Sequence, residues 1–116
     1  MFRFVAVLVL GLILVGSSTA LTQYDSGYVD FGDSDTFIPS VGAYKQKVVS
    51  VKFNKPYAVA PIVIPSVEIM DFENIYNTRW QYAVAAVTTT GFQITMITWG
   101  NTKIYNIRVR WHALSL

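Results

Sequence analysis

From Leu21 onward the apolar positions of this 116-residue chain recur every second residue, which is the spacing of strands, and no segment repeats with the period of a helix. The clearest case is Phe92–Trp99. It sets Phe92, Ile94 and Met96 on one face and Gln93, Thr95, Ile97 and Trp99 on the other. Ile104–Ala113 does the same, with Ile107, Val109, Trp111 and Ala113 opposed to Asn106, Arg108, Arg110 and His112. Tyr44–Phe53 alternates Val49, Val51 and Phe53 against Ser50 and Lys52. Gln23–Phe31 and Arg79–Thr88 complete the strand-like runs, together with Tyr57–Ile69, which is apolar on both faces. Pro61 and Pro65 mark that last run as an edge strand or a bulge, because proline donates nothing to a ladder. The tight turn at Thr89–Phe92 places Gly91 where positive φ is expected. The acid- and amide-rich stretch 66–78 reads as a loop crossing between sheets. The pattern predicts an all-β fold: a six-stranded antiparallel β-sandwich in a single domain.

The first twenty residues do not fit that pattern. Arg3, the apolar run Val5–Val15, and small residues at Ser18 and Ala20 predict a signal peptide over residues 1–20, with the folded domain at 21–116. The run is shorter than the roughly 20 residues a spanning helix needs, so no stable membrane insertion is expected after cleavage. A secreted domain this small often relies on disulfides. This chain has no cysteine, so a core or a subunit interface must stabilise it. Nine basic and seven acidic residues give a formal charge of +2, and no basic stripe points to nucleic acid. Asp25, Asp30, Asp33 and Asp35 crowd together but miss the spacing of a calcium loop, and read as solvated acids.

Candidate chemistry is sparse. With no cysteine and one histidine, His112, on a polar strand face, neither a nucleophilic triad nor a zinc site can be assembled, and no catalytic residue, metal or cofactor is expected. Binding remains. Sugars are gripped by aromatic faces against their C–H patches and by rigid polar groups that satisfy their hydroxyls. Arg79 opens one strand with a fork of donors, and Trp99 ends another on the polar-facing side. If the two ends lie side by side, they form half of a sugar pocket. A surface ion pair is the competing account of Arg79. Packing under a loop or at a subunit contact is that of Trp99.

The segments "SGYVDFGD", "VKFNKPYAVAPIVIPSV" and "TTTGFQITMITWGNTKIYNIRVRWHA" resemble the H-type lectin domain over roughly Gln23 to Ala113. The resemblance implies a six-stranded antiparallel sandwich, assembly as trimers or stacked hexamers, and sugar sites at clefts between subunits. It places the family's sugar-contacting arginine on Arg79 and its tryptophan on Trp99. It also implies departures. The family's sugar-contacting histidine after the tryptophan is here Gly100. The loop that carries its aspartate is here Pro39–Lys47, shorter and without an acid. Gly42 can keep the backbone contact there, and Tyr44 or Ser40 can replace some hydrogen bonding. Two cysteines paired in the family fall on Phe31 and Met96, which are then expected in the core.

The resemblance implies a secreted carbohydrate-binding protein, with galactose- or N-acetylgalactosamine-type glycans or glycoproteins as partners and a homotrimer or hexamer as its form. Small residues allow chains to approach closely, so Ala83 and Ala85 are expected near the trimer axis, or else beneath a loop. The alternative is a structural or protein-interaction module on the same scaffold that has lost its sugar, as the short loop and Gly100 suggest.

Overall fold

The computed structural model describes residues 21–42 and 44–116, so the expected signal peptide lies outside the described residues. Seven strands form two antiparallel sheets. In chain order they are β1 (Gln23–Asp30), β2 (Ile38–Pro39), β3 (Lys45–Lys52), β4 (Ile62–Phe72), β5 (Trp80–Ala85), β6 (Gly91–Thr98) and β7 (Ile104–Ser115). One sheet runs β1-β7-β4 and the other β2-β3-β6-β5. The six longer strands are those the alternation predicts, and the two-residue β2 is too short for any periodicity to reveal. Apart from one three-residue 3-10 turn at Ser34–Thr36, no helix is present among the described residues, and none is long and apolar enough to cross a membrane.

The sandwich is held by the inward faces of its two central strands. On β6, Phe92, Ile94, Met96 and Thr98 are buried, and on β7 so are Ile104, Ile107, Val109, Trp111 and Ala113. Aromatic rings join the layers. Trp111 meets Phe92 edge-on at 5.3 Å between centroids, and Phe53 at 6.0 Å. The indole covers β1 at Gly27, where a Cβ would come within 2.8 Å of it. Phe31 and Met96 are both fully buried in this core, which fits the apolar replacement of a cysteine pair. The few buried polar groups are satisfied, as burial requires. Ser34 Oγ accepts from the Ile104 amide at 3.0 Å, and the buried Tyr57 hydroxyl donates to the Ala113 carbonyl at 3.0 Å.

Two local expectations are corrected. Residues 66–72 are strand rather than loop. β4 is an edge strand carrying Pro65, and its register against β7 slips between Val67 and Ile69. Glu68 is left out of the ladder, which interrupts the two-residue alternation although pairing continues to Phe72. Gly91, in turn, does not adopt positive φ. It is required because any Cβ there would lie 2.1 Å from the Val51 carbonyl oxygen on β3. The left-handed residue near this hairpin is Ala86, at φ 53°.

Candidate functional site

Registers bring three strand ends together. β3 pairs with β6 through Lys45 and Thr98, and β5 pairs with β6 through Trp80 and Thr98. One position further, Tyr44, Trp99 and Arg79 therefore form a row across β3, β6 and β5. Thr98 points into the core, so this row belongs to the outer face. The strand ends that carry Arg79 and Trp99 therefore lie side by side.

Beyond this row, the side chains divide into two groups. Trp99 is half-buried and leans on Tyr44, with ring centroids 5.5 Å apart and planes tilted by 42°. Tyr44 closes the turn between β2 and β3. Its carbonyl accepts from the Ser40 amide at 2.8 Å, and Gly42 takes φ 68° within the turn. Of the stretch expected as loop, Pro39 already belongs to β2 and Lys45–Lys47 to β3.

Arg79 instead lines a polar cavity of about 350 Å³ with Ile75, Tyr76, Asn77, Gly100 and Asn101. Gly100 is in the left-handed region at φ 70°, and a Cβ there would sit 3.6 Å from both Cδ and Nη1 of Arg79. The guanidinium therefore lies against the glycine backbone. Of the six residues expected at the site, Arg79 and Gly100 share this cavity. Trp99 and Tyr44 contact each other beside it, and Ser40 and Gly42 belong to the neighbouring turn.

The root of Arg79 is fixed by two buried hydroxyls. Thr98 Oγ1 donates to the Arg79 carbonyl at 2.8 Å. Thr102 Oγ1 accepts from the Arg79 amide at 2.8 Å and donates to the Asn77 carbonyl at 2.9 Å. At the other end of the same loop, the Glu73 amide donates to the Lys103 carbonyl at 3.0 Å, and the Tyr105 hydroxyl donates to Glu73 Oε2 at 2.7 Å. The Glu73 carboxylate holds the Tyr105 phenol above its ordinary pKa. Both ends of segment 73–79 are tied to the β6–β7 connection, so the cavity is preformed.

The tip of Arg79 has no such partner. Among the described residues no carboxylate lies within ion-pair distance of it. Most of the acids are engaged elsewhere. Asp33 and Asp35 hold Lys103, Asp25 binds the Asn54 amide and side chain, and Asp30 pairs with Arg108. His112 Nδ1 shares a hydrogen bond with the Tyr24 hydroxyl of the neighbouring strand β1, in the sheet that does not carry Arg79. No cluster of three or more metal-ligating side chains occurs among the described residues. The arrangement can donate hydrogen bonds to a solvent-accessible polar ligand and offers no acid–base pair for chemistry. Ile75, Tyr76, Asn77 and Asn101 were not anticipated. The only sequence signal for them was the apolar Ile75–Tyr76 pair inside a polar loop, and the structure leaves Ile75 71% exposed.

A small sandwich with a preformed polar cavity at one sheet end has the form of a ligand-binding module. The H-type lectin domain profile matches residues 48–114, more than half of the chain, and the chain belongs to that family. The fold agrees with solved structures of discoidin II from Dictyostelium discoideum. The recombinant protein superposes with a TM-score of 0.69 at 29% identity, over 80% of this chain and 36% of that one. The wild-type protein gives 0.71 at 26% identity, over 86% and 40%. The chain thus spans well under half of the discoidin II chain. A protein of Fuscovulum blasticum described as "ATP synthase subunits region ORF 7" is 29% identical over 87 residues, 75% of each chain.

Proposed function

We propose that this protein is a secreted lectin that binds galactose- or N-acetylgalactosamine-type glycans through weak sites, multiplied by assembly as a homotrimer or hexamer. Residues 1–20 would direct its export, and residues 21–116 would form the binding domain. The observation that carries the reading is Arg79: an arginine fixed at its backbone by two buried threonines, without a carboxylate partner, in an open polar cavity. Membership in a family of lectin domains supports it. So does the placing of Trp99 and Tyr44 in the same row, where an aromatic pair can border a sugar. Ala83 and Ala85 are exposed on the edge strand β5, which supports close approach of a second chain along that face. Several weak sites presented together raise avidity by about 10² to 10⁴ in favourable geometry.

The test is a glycan array probed with the secreted protein. Binding of galactose-type glycans that is lost in Arg79→Ala and weakened in Trp99→Ala is expected. Absence of glycan binding by the assembled protein at millimolar concentration contradicts the reading. Light scattering should report a trimer or hexamer, and a monomer mass would remove the multivalent part. A second reading is a protein-interaction module on the same scaffold. It is favoured by one observation: the Trp99 ring rests on Tyr44 rather than lining the Arg79 cavity. Capture of a protein partner that no glycan competes away would support it.

A further inference from the structure

We infer that the saccharide unit seated at Arg79 carries an acidic group, a carboxylate or a sulfate ester, which the guanidinium reads. This rests on the lectin reading and narrows it to a ligand class. Three observations lead there. Of the three arginines among the described residues, Arg108 and Arg110 are each forked onto an acid of their own sheet, and Arg79 alone pairs with none. The cavity lining contains no aspartate or glutamate, so nothing in it would repel an anion. Glu73, the nearest acid along the loop, accepts from Tyr105 and does not line the cavity. Lastly, Arg79 packs beside Gly100, where a Cβ would lie 3.6 Å from its Cδ and Nη1, while Thr98 and Thr102 bind the Arg79 backbone and so fix where its side chain starts.

A neutral pyranose can use the amides of this lining but leaves the charge of Arg79 unmatched. Its hydroxyls donate as well as accept, and they are best served by a carboxylate acceptor, which the cavity lacks. An anionic oxygen pair is the natural complement of a planar fork of donors, and charge-assisted bonds of that kind are about twice as strong as neutral ones. Asn77 and Asn101 supply amide donors and acceptors for the remaining hydroxyls.

The experiment is a calorimetric titration of the full secreted protein with galactose, galacturonic acid and galactose 6-sulfate, which differ only at the sixth carbon. At low salt the acidic sugars should bind about tenfold or more tightly than galactose, and added salt should shrink that gap. The gap should close in Arg79→Gln. In Arg79→Lys the carboxylate preference should fall, because the charge remains but the fork is gone. A gain confined to galacturonic acid supports a carboxylate ligand, and an equal gain with the sulfate supports a site that reads charge alone. Galactose bound as tightly as both acids overturns the inference and leaves the lectin reading standing. No saccharide bound at millimolar concentration overturns the lectin reading, and this inference with it.

Discussion

Arg108 and Arg110 differ from Arg79 in what surrounds them. On the outer face of β1-β7-β4, Arg108 makes a two-pronged pair with Asp30, at 2.8 and 2.9 Å. Its guanidinium carbon lies 4.2 Å above the Tyr28 ring. Arg110 holds Glu68 with two bonds, at 2.9 and 3.3 Å. The bulge in β4 takes Glu68 out of the ladder, opposite both arginines. Every charge in this cluster has its complement within the chain. At the end of the other sheet, Arg79 has a backbone anchored by two hydroxyls and a side chain with no acid to meet. The contrast separates cations paired within the fold from one whose side chain meets no carboxylate, and the proposed role of Arg79 rests on that difference.

Four perturbations break or sharpen this contrast. Trp111→Ala should have the largest effect, because its ring bridges the two sheets on which the two regions stand. A loss of about 3–5 kcal/mol is expected, read by chemical denaturation. Thr102→Val should separate the regions. It removes the hydroxyl that holds Arg79 and Asn77, which should cost about 1–3 kcal/mol and weaken glycan binding, with the Arg108 cluster undisturbed. Ala86→Gly should touch neither region. Relief of a left-handed alanine should stabilise the protein by about 1 kcal/mol, seen as a raised Tm.

The smallest effect is that of acid. The side chains of Arg108, Lys103 and Arg110 hold the carboxyls of Asp30, Asp33 and Glu68, respectively, below their ordinary values. A carboxyl lowered on folding contributes stability above its unfolded pKa, and that contribution is lost as pH falls through the folded value. These pairs are largely solvent-exposed and screened, so the effect is modest. Tm should fall gently below about pH 5. Glu68→Gln should flatten that dependence without altering glycan binding at neutral pH.

The parts of the fold legible in the sequence are those where alternation and burial coincide. β6 and β7 carry an unbroken apolar series on one face, and every inward residue from Phe92 to Met96 and from Ile107 to Ala113 is buried as expected. Legibility fails where a contact distant in sequence decides the local structure. The far half of β4 was hidden because one bulged residue shifts the alternation. The reason for Gly91 lies on β3, some forty residues away, in the Val51 carbonyl. At the site, Arg79 and Trp99 could be found as strand-end residues of suitable chemistry. The cavity beside Arg79 could not be found, because its shape depends on the Thr102 hydroxyl reaching back across the loop to Asn77. Nor could Trp99 be assigned to Tyr44, since that contact arises only from the pairing of β3 with β6.

The most direct test is a backbone amide NMR map of the protein during titration with a galactose-type saccharide. Shifts should concentrate at Asn77, Arg79, Gly100 and Asn101 and vanish in Arg79→Gln, with Tyr28, Arg108 and Arg110 unmoved. Shifts centred on the Arg108 cluster, or none at millimolar sugar, would contradict the account.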